Sequence, residues 1–117
     1  MQLLIFVLNK VDKLDAVLAE LAKKNLCGAT VLDSRGMARI LVDKYDEGEL
    51  PFLGSLRSFL HSGRRESKVI LAAVQADQLP EVVDVIEGIV GDLSNEDTGV
   101  VFSVPIAYTK GICGIGK

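Results

Sequence analysis

The sequence predicts an α+β fold in which two strand–helix–strand units share one antiparallel sheet. Three observations predict it. Leu14, Val17, Leu18 and Leu21 recur at one fixed offset as Leu79, Val82, Val83 and Ile86, each set opening just after an aspartate, Asp12 or Asp77. The same offset carries the apolar run Leu4-Ile5-Phe6-Val7-Leu8 onto Val69-Ile70-Leu71-Ala72-Ala73. A chain of 117 residues is one domain of ordinary size, and a strand with its amphipathic helix, occurring twice, nearly fills it. The expected architecture is a βαββαβ, ferredoxin-like sandwich with both helices on one face of the sheet. That architecture hosts many unrelated activities, so function rests on what is added to it.

Each element has its own justification. Residues 3–9 form an apolar strand. Asp12 is placed to cap a helix, and Asp15 three positions on suits the positive end of the helix dipole. Apolar residues at 14, 17, 18 and 21 then share one helical face. Lys23 and Lys24 occupy the last turn, and Asn25 is suited to a left-handed terminator. A second strand covers residues 29–34 and a third residues 68–74. The second amphipathic helix starts near Leu79, tolerates Pro80 in its first turn and fades over 88–91. After a polar loop over 92–98, the fourth strand is Gly99–Pro105. The glycine-rich tail, 107–117, takes no firm assignment.

Residues 36–66 break the pattern. They are far longer than the two to five residues a hairpin needs. This insertion begins Gly36-Met37-Ala38-Arg39, continues acidic through Asp43, Asp46, Glu47 and Glu49, and ends basic with Arg57, His61, Arg64 and Arg65. Leu50, Leu53, Leu56, Phe59 and Leu60 recur at helical spacing after Pro51, which predicts a short helix there.

Composition excludes several classes of function. A net charge of −3 and a pI near 5.1 give no positive field for nucleic acid. No apolar run reaches the roughly 20 residues of a membrane span. The N-terminus lacks the basic start of a signal peptide, and Cys27 and Cys113 match no disulfide or metal spacing, so a reduced cytoplasmic setting is expected. No nucleophile and base stand at a recognisable spacing, and the single histidine has no ligand partners. No catalytic residue, metal ligand or enzymatic activity is therefore assigned.

The strands predict more than a monomer. When helices cover one face of an antiparallel sheet and water the other, strands alternate apolar with polar. These do not. Leu4, Phe6 and Leu8 face one way and Leu3, Ile5 and Val7 the other, while Val69, Leu71 and Ala73 oppose Ile70, Ala72 and Val74. Leaving the second face wet forfeits about 1.5–3 kcal/mol for each large side chain. Either the insertion folds back over it or several copies bury their sheets together; the second reading is the stronger.

Three stretches carry a family resemblance. Thr30-Val31-Leu32-Asp33-Ser34-Arg35-Gly36-Met37-Ala38-Arg39 resembles the second strand of the nitrogen regulatory P-II family leading into its long regulatory T-loop. Asp77-Gln78-Leu79-Pro80-Glu81-Val82-Val83-Asp84-Val85-Ile86 is similar to that family's second helix, and Thr98-Gly99-Val100-Val101-Phe102-Ser103-Val104-Pro105 resembles its B-loop and the strand after it. The resemblance covers nearly the whole chain. It implies a homotrimeric signalling regulator that holds a small anionic effector, an adenine nucleotide being the candidate, in clefts between subunits. It also implies that the insertion engages a target protein, a transporter or an enzyme, in nitrogen metabolism or beyond it. On this reading the effector residues are Thr30, Gly36, Met37, Arg39, Thr98 and Gly99, and the partner-binding loop includes Tyr45, Arg57, Arg64 and Arg65. The chain departs from the family's nucleotide-binding pattern. It has Ile40 where those members carry glutamine, Val100 where they carry lysine, and only Lys110 where they carry a C-terminal arginine pair.

Each candidate also has an ordinary structural reading. Gly36 is a turn glycine and Arg39 a solvated arginine, Thr30 a strand residue, Tyr45 an anchor, and the basic run a solvated face. Two other families with the same topology remain as alternatives: a CutA-type trimeric metal-tolerance protein and an ACT-type amino-acid-binding module.

Overall fold

The computed structural model describes residues 1–26, 28–46, 48–59, 66–95 and 98–112. In chain order the elements are β1 (Gln2–Leu8), α1 (Leu14–Lys23), β2 (Thr30–Ser34), α2 (Met37–Lys44), α3 (Leu53–Phe59), β3 (Ser67–Val74), α4 (Leu79–Val90) and β4 (Gly99–Pro105). The strands make one antiparallel sheet in the order β2-β3-β1-β4. The fold class is α+β, with the strands within a residue of their expected bounds.

The offset repeat is the core. Leu4, Phe6 and Leu8 of β1 lie on one face of the sheet with Ile70, Ala72 and Val74 of β3, since Phe6 pairs with Ile70 across the ladder. Val17 and Leu21 of α1 and Val82, Ile86 and Val90 of α4 close over them, and all of these are buried in one cluster. The 3.6-residue stripe of each helix thus meets the two-residue alternation of each strand. Lys24, just past α1, pairs with Glu81 in the first turn of α4 and ties the two helices side by side.

The helix ends follow local chemistry, with one correction. Asp12 does not cap α1. Residues Val11–Lys13 form a 3₁₀ turn of their own, Lys13 is the residue before the helix, and no side chain caps it. A short turn that feeds straight into the helix supplies backbone acceptors and leaves the aspartate outside. Asn25 does adopt the left-handed conformation, at φ 64°. Pro80 sits in the first turn of α4, which runs through Gly88 to end at Gly91. There Lys10 donates its Nζ–H to the Val90 carbonyl at 2.6 Å, placing a cation on the negative end of the helix.

The insertion is more helical than its sequence suggested. α3 begins at Leu53, after Pro51 and Phe52 have formed a turn, as the leucine spacing required. α2 is an additional helix where a loop was expected. It opens at Gly36, whose carbonyl accepts the Ile40 N–H at 3.0 Å, and it packs against α3. Leu53 is fully buried yet lies outside the main core cluster.

The opposite face of the sheet is apolar from edge to edge. The register places Thr30, Leu71, Ile5 and Phe102 in one row, Leu32, Val69, Val7 and Val100 in a second, and Ala73, Leu3 and Val104 in a third. Leu32 is 48% exposed, Val100 40%, Phe102 52% and Val104 43%, so the described residues of the insertion do not cover this face. No helix among the described residues is long and apolar enough to cross a membrane.

Candidate functional site

The expected effector residues fall in three places. Gly36, Met37 and Arg39 lie just beyond the end of β2, where the chain leaves the sheet and enters α2. Thr98 and Gly99 lie at the start of β4, next to the end of β1. Both groups are at one end of the sheet, because β2 and β1 finish where β3 and β4 begin. Yet β2 and β4 are its two opposite edges, three strand spacings or about 14 Å apart. Within one copy they do not converge. Thr30 is at the start of β2, about 13 Å along the strand from its end. It lines a different cavity, of about 310 Å³, with Leu3, Gly28, Leu71, Ala73, Gly111 and Ile112.

At the β2 end, Met37 is 76% exposed on the first turn of α2 and Arg39 is half-buried with a partner. Sequence reasoning passed over Arg35, the residue that here shapes the electrostatics. Its guanidinium reaches Asp43 of α2 at 2.9 Å and so pins the helix to the end of the strand. Arg35 also lines a second cavity, of about 330 Å³, with Asp33, Ser34 and Glu66. Asp33 and Glu66 both pair with Lys68, whose pKa the Asp33 hydrogen bond raises. Below them the hydroxyls of Ser34 and Ser67 meet at 2.7 Å. Asp33, Asp43 and Glu66 therefore pair with Arg35 and Lys68 beside this cavity. An anion that binds Arg35 or Lys68 competes with those carboxylates. The signal for Arg35 was present, as a basic residue directly after a strand followed by an acid on the next helix.

At the β4 start, Thr98 is 2% exposed and Gly99 has a structural reason to be glycine. Gly99 stands at φ +149°, and a Cβ there would come within 2.5 Å of the Val7 carbonyl oxygen. The Asn9 N–H donates to the Thr98 carbonyl at 3.4 Å. Thr98 is therefore withheld from solvent, backbone and side chain alike, and of the two only Gly99 is partly accessible. In the loop before it, Asp92 accepts from both the hydroxyl and the N–H of Ser94, which hold its carboxyl below the usual range.

Of the expected partner-binding residues, Tyr45 directly follows α2. It is half-buried, its N–H closes the last turn of α2 on the Leu41 carbonyl at 3.0 Å, and the Lys44 ammonium lies 5.7 Å from its ring centroid. Arg57 is exposed on α3 and has a partner. Arg64 and Arg65 lie outside the described residues, as do His61, Cys27 and Cys113. Among the described residues no three histidine, cysteine, aspartate or glutamate side chains gather to hold a metal ion. No family model matches the chain, and no curated protein matches it.

Proposed function

We propose that this chain is a trimeric P-II-like regulator, with a ferredoxin-like subunit, that binds a small anionic effector between subunits and signals through its helical insertion to a partner protein. The observation that carries the reading is the separation of the candidate residues onto opposite sheet edges beside an uncovered apolar face. Copies that bury those faces around a common axis set the β2 edge of one beside the β4 edge of the next. Gly36 to Arg39 and Thr98–Gly99 then come together, each half supplied by a different chain. The strand order, with α1 and α4 following β1 and β3, supports the ferredoxin-like assignment.

In the proposed cleft, Gly99 and its neighbours contribute backbone, and Arg35 and Arg39 contribute cations. The effector acts by population shift. It competes with Asp43 for Arg35 and changes how α2 sits on the strand end, and the partner distinguishes the two arrangements.

Two measurements test this. Native mass spectrometry of the purified chain is expected to give a trimer, and a stable monomer at micromolar concentration ends the proposal. Calorimetry with ATP, ADP and AMP tests the effector class. Absence of heat across the panel, with the trimer intact, removes the adenine nucleotide and leaves the assembly.

A further inference from the structure

The cavity at the end of β2 has a mixed charge that a plain anion does not match. Among the described residues it is lined by Asp33, Ser34, Arg35 and Glu66, and its volume is about 330 Å³, inside the range of about 300–1,000 Å³ usual for small-molecule sites. Three carboxylates, Asp33, Asp43 and Glu66, share two cations, Arg35 and Lys68. The lining groups also keep bonding capacity in hand. Arg35 donates from Nη2 to Asp43 at 2.9 Å, its only bond among the described residues, and the rest of its donor fork is open. Asp33 accepts the Lys68 ammonium on Oδ1 and leaves Oδ2 without a donor among the described residues. The Glu66 carboxylate stands 3.9 Å from the same ammonium, beyond hydrogen-bond reach.

We propose that this cavity binds a free α-amino acid, its carboxylate held by Arg35 and its ammonium by Asp33 and Glu66. This rests on the reading that an effector binds beside Arg35, and it names the chemical class of that effector as a zwitterion. The charge pattern selects among ligands. A polyphosphate gains Arg35 but meets an excess of carboxylates. A simple amine gains the carboxylates and leaves the guanidinium fork unused. A ligand with one charge of each sign on a single carbon satisfies both and brings no net charge into the cavity. The spacing agrees with this. Asp33 and Arg35 are two residues apart, roughly 6.6 Å along the chain at the rise of a strand. Charge-assisted bonds of about 2.8 Å at either end of an amino acid backbone span that interval.

The test is calorimetry of the purified chain with each of the common L-amino acids, with native mass spectrometry of the same sample. At least one amino acid is expected to bind saturably. Offering the same side chain as its des-amino acid or its α-carboxamide is expected to weaken binding about 10-fold or more. Arg35→Gln and Glu66→Gln are expected to do the same while keeping the circular dichroism of the parent, since both side chains are exposed. Asp33→Asn serves as a further variant should either lose its fold. Silence across the amino acids overturns the proposal, and so does equal binding of the des-amino acid, which marks a plain anion site. Nucleotides that bind the trimer where amino acids do not leave the regulator standing without the zwitterion. An amino acid that binds with this dependence to a chain that stays monomeric leaves the zwitterion site standing without the trimer.

Discussion

The two faces of the sheet carry nearly the same amino acids and meet opposite fates. On one, Leu4, Phe6, Leu8, Ile70 and Val74 are shut away beneath α1 and α4. On the other, Leu3, Ile5, Val7, Val69 and Leu71 are only half-covered, and Leu32, Val100, Phe102 and Val104 are open. Hydrophobicity alone therefore does not say which residues hold a subunit together. What separates the faces is whether an element among the described residues lies over them. The helix side stabilises the single copy, and the bare side is where the proposed association would take place.

Phe6→Ala against Phe102→Ala breaks or sharpens this contrast most directly. Removing Phe6 leaves a cavity in a closed core and is expected to cost about 3–5 kcal/mol in chemical denaturation. Removing Phe102 is expected to cost a dissociated copy no more than about 0.5 kcal/mol. Equal losses at high dilution would show that the bare face is covered from within the chain. Next in size is Gly99→Ala, at the seam where β4 meets β1. The added methyl meets the Val7 carbonyl in a backbone conformation that disfavours any side chain, and a loss of about 2–4 kcal/mol is expected. A variant as stable as the parent would show that this corner relaxes freely.

The remaining tests lie away from both faces and should be small. Asp43→Asn removes an ion pair whose members are both solvent-accessible, so its cost to stability is expected at about 0.2–1 kcal/mol. Hydrogen exchange over 37–44 should nevertheless rise several-fold if Arg35 pins α2. Unchanged exchange would show that α2 is held by its packing on α3. The smallest effect is the acid response of Asp92. Its folded pKa is depressed by Ser94, so its contribution is present above the unfolded value near 4 and fades as pH falls through the lower folded value. Ser94→Ala should flatten that part of the acid limb of a stability–pH curve, and an unaltered limb would mean the Ser94 bonds do not matter.

Much of this was legible in the sequence, for physical reasons. The repeated stripe of leucines and valines survives as the core because periodicity is set by the geometry of helices and strands themselves. Asn25 and Pro80 acted as local rules predict. α2 was hidden because it is only 8 residues long, shorter than the window of about 11–18 residues in which a helical period can be read, although Arg39 and Asp43 do share one side of it. Asp12 misled because a capping residue depends on the turn that precedes the helix. The candidate site was legible only as a set of residues. That Thr30, Arg39 and Thr98 lie at three separate corners follows from strand order, and the recess beside Leu71 follows from where the tail returns. Neither is written in a local pattern.

The insertion has one further property. Leu53 is buried outside the main core and α2 packs on α3, so the described part of the insertion has an apolar centre of its own. In the proposed regulator, a packed helix pair would carry a small rotation at Ser34 and Ser67 outward to the partner, where a slack tether would lose its direction.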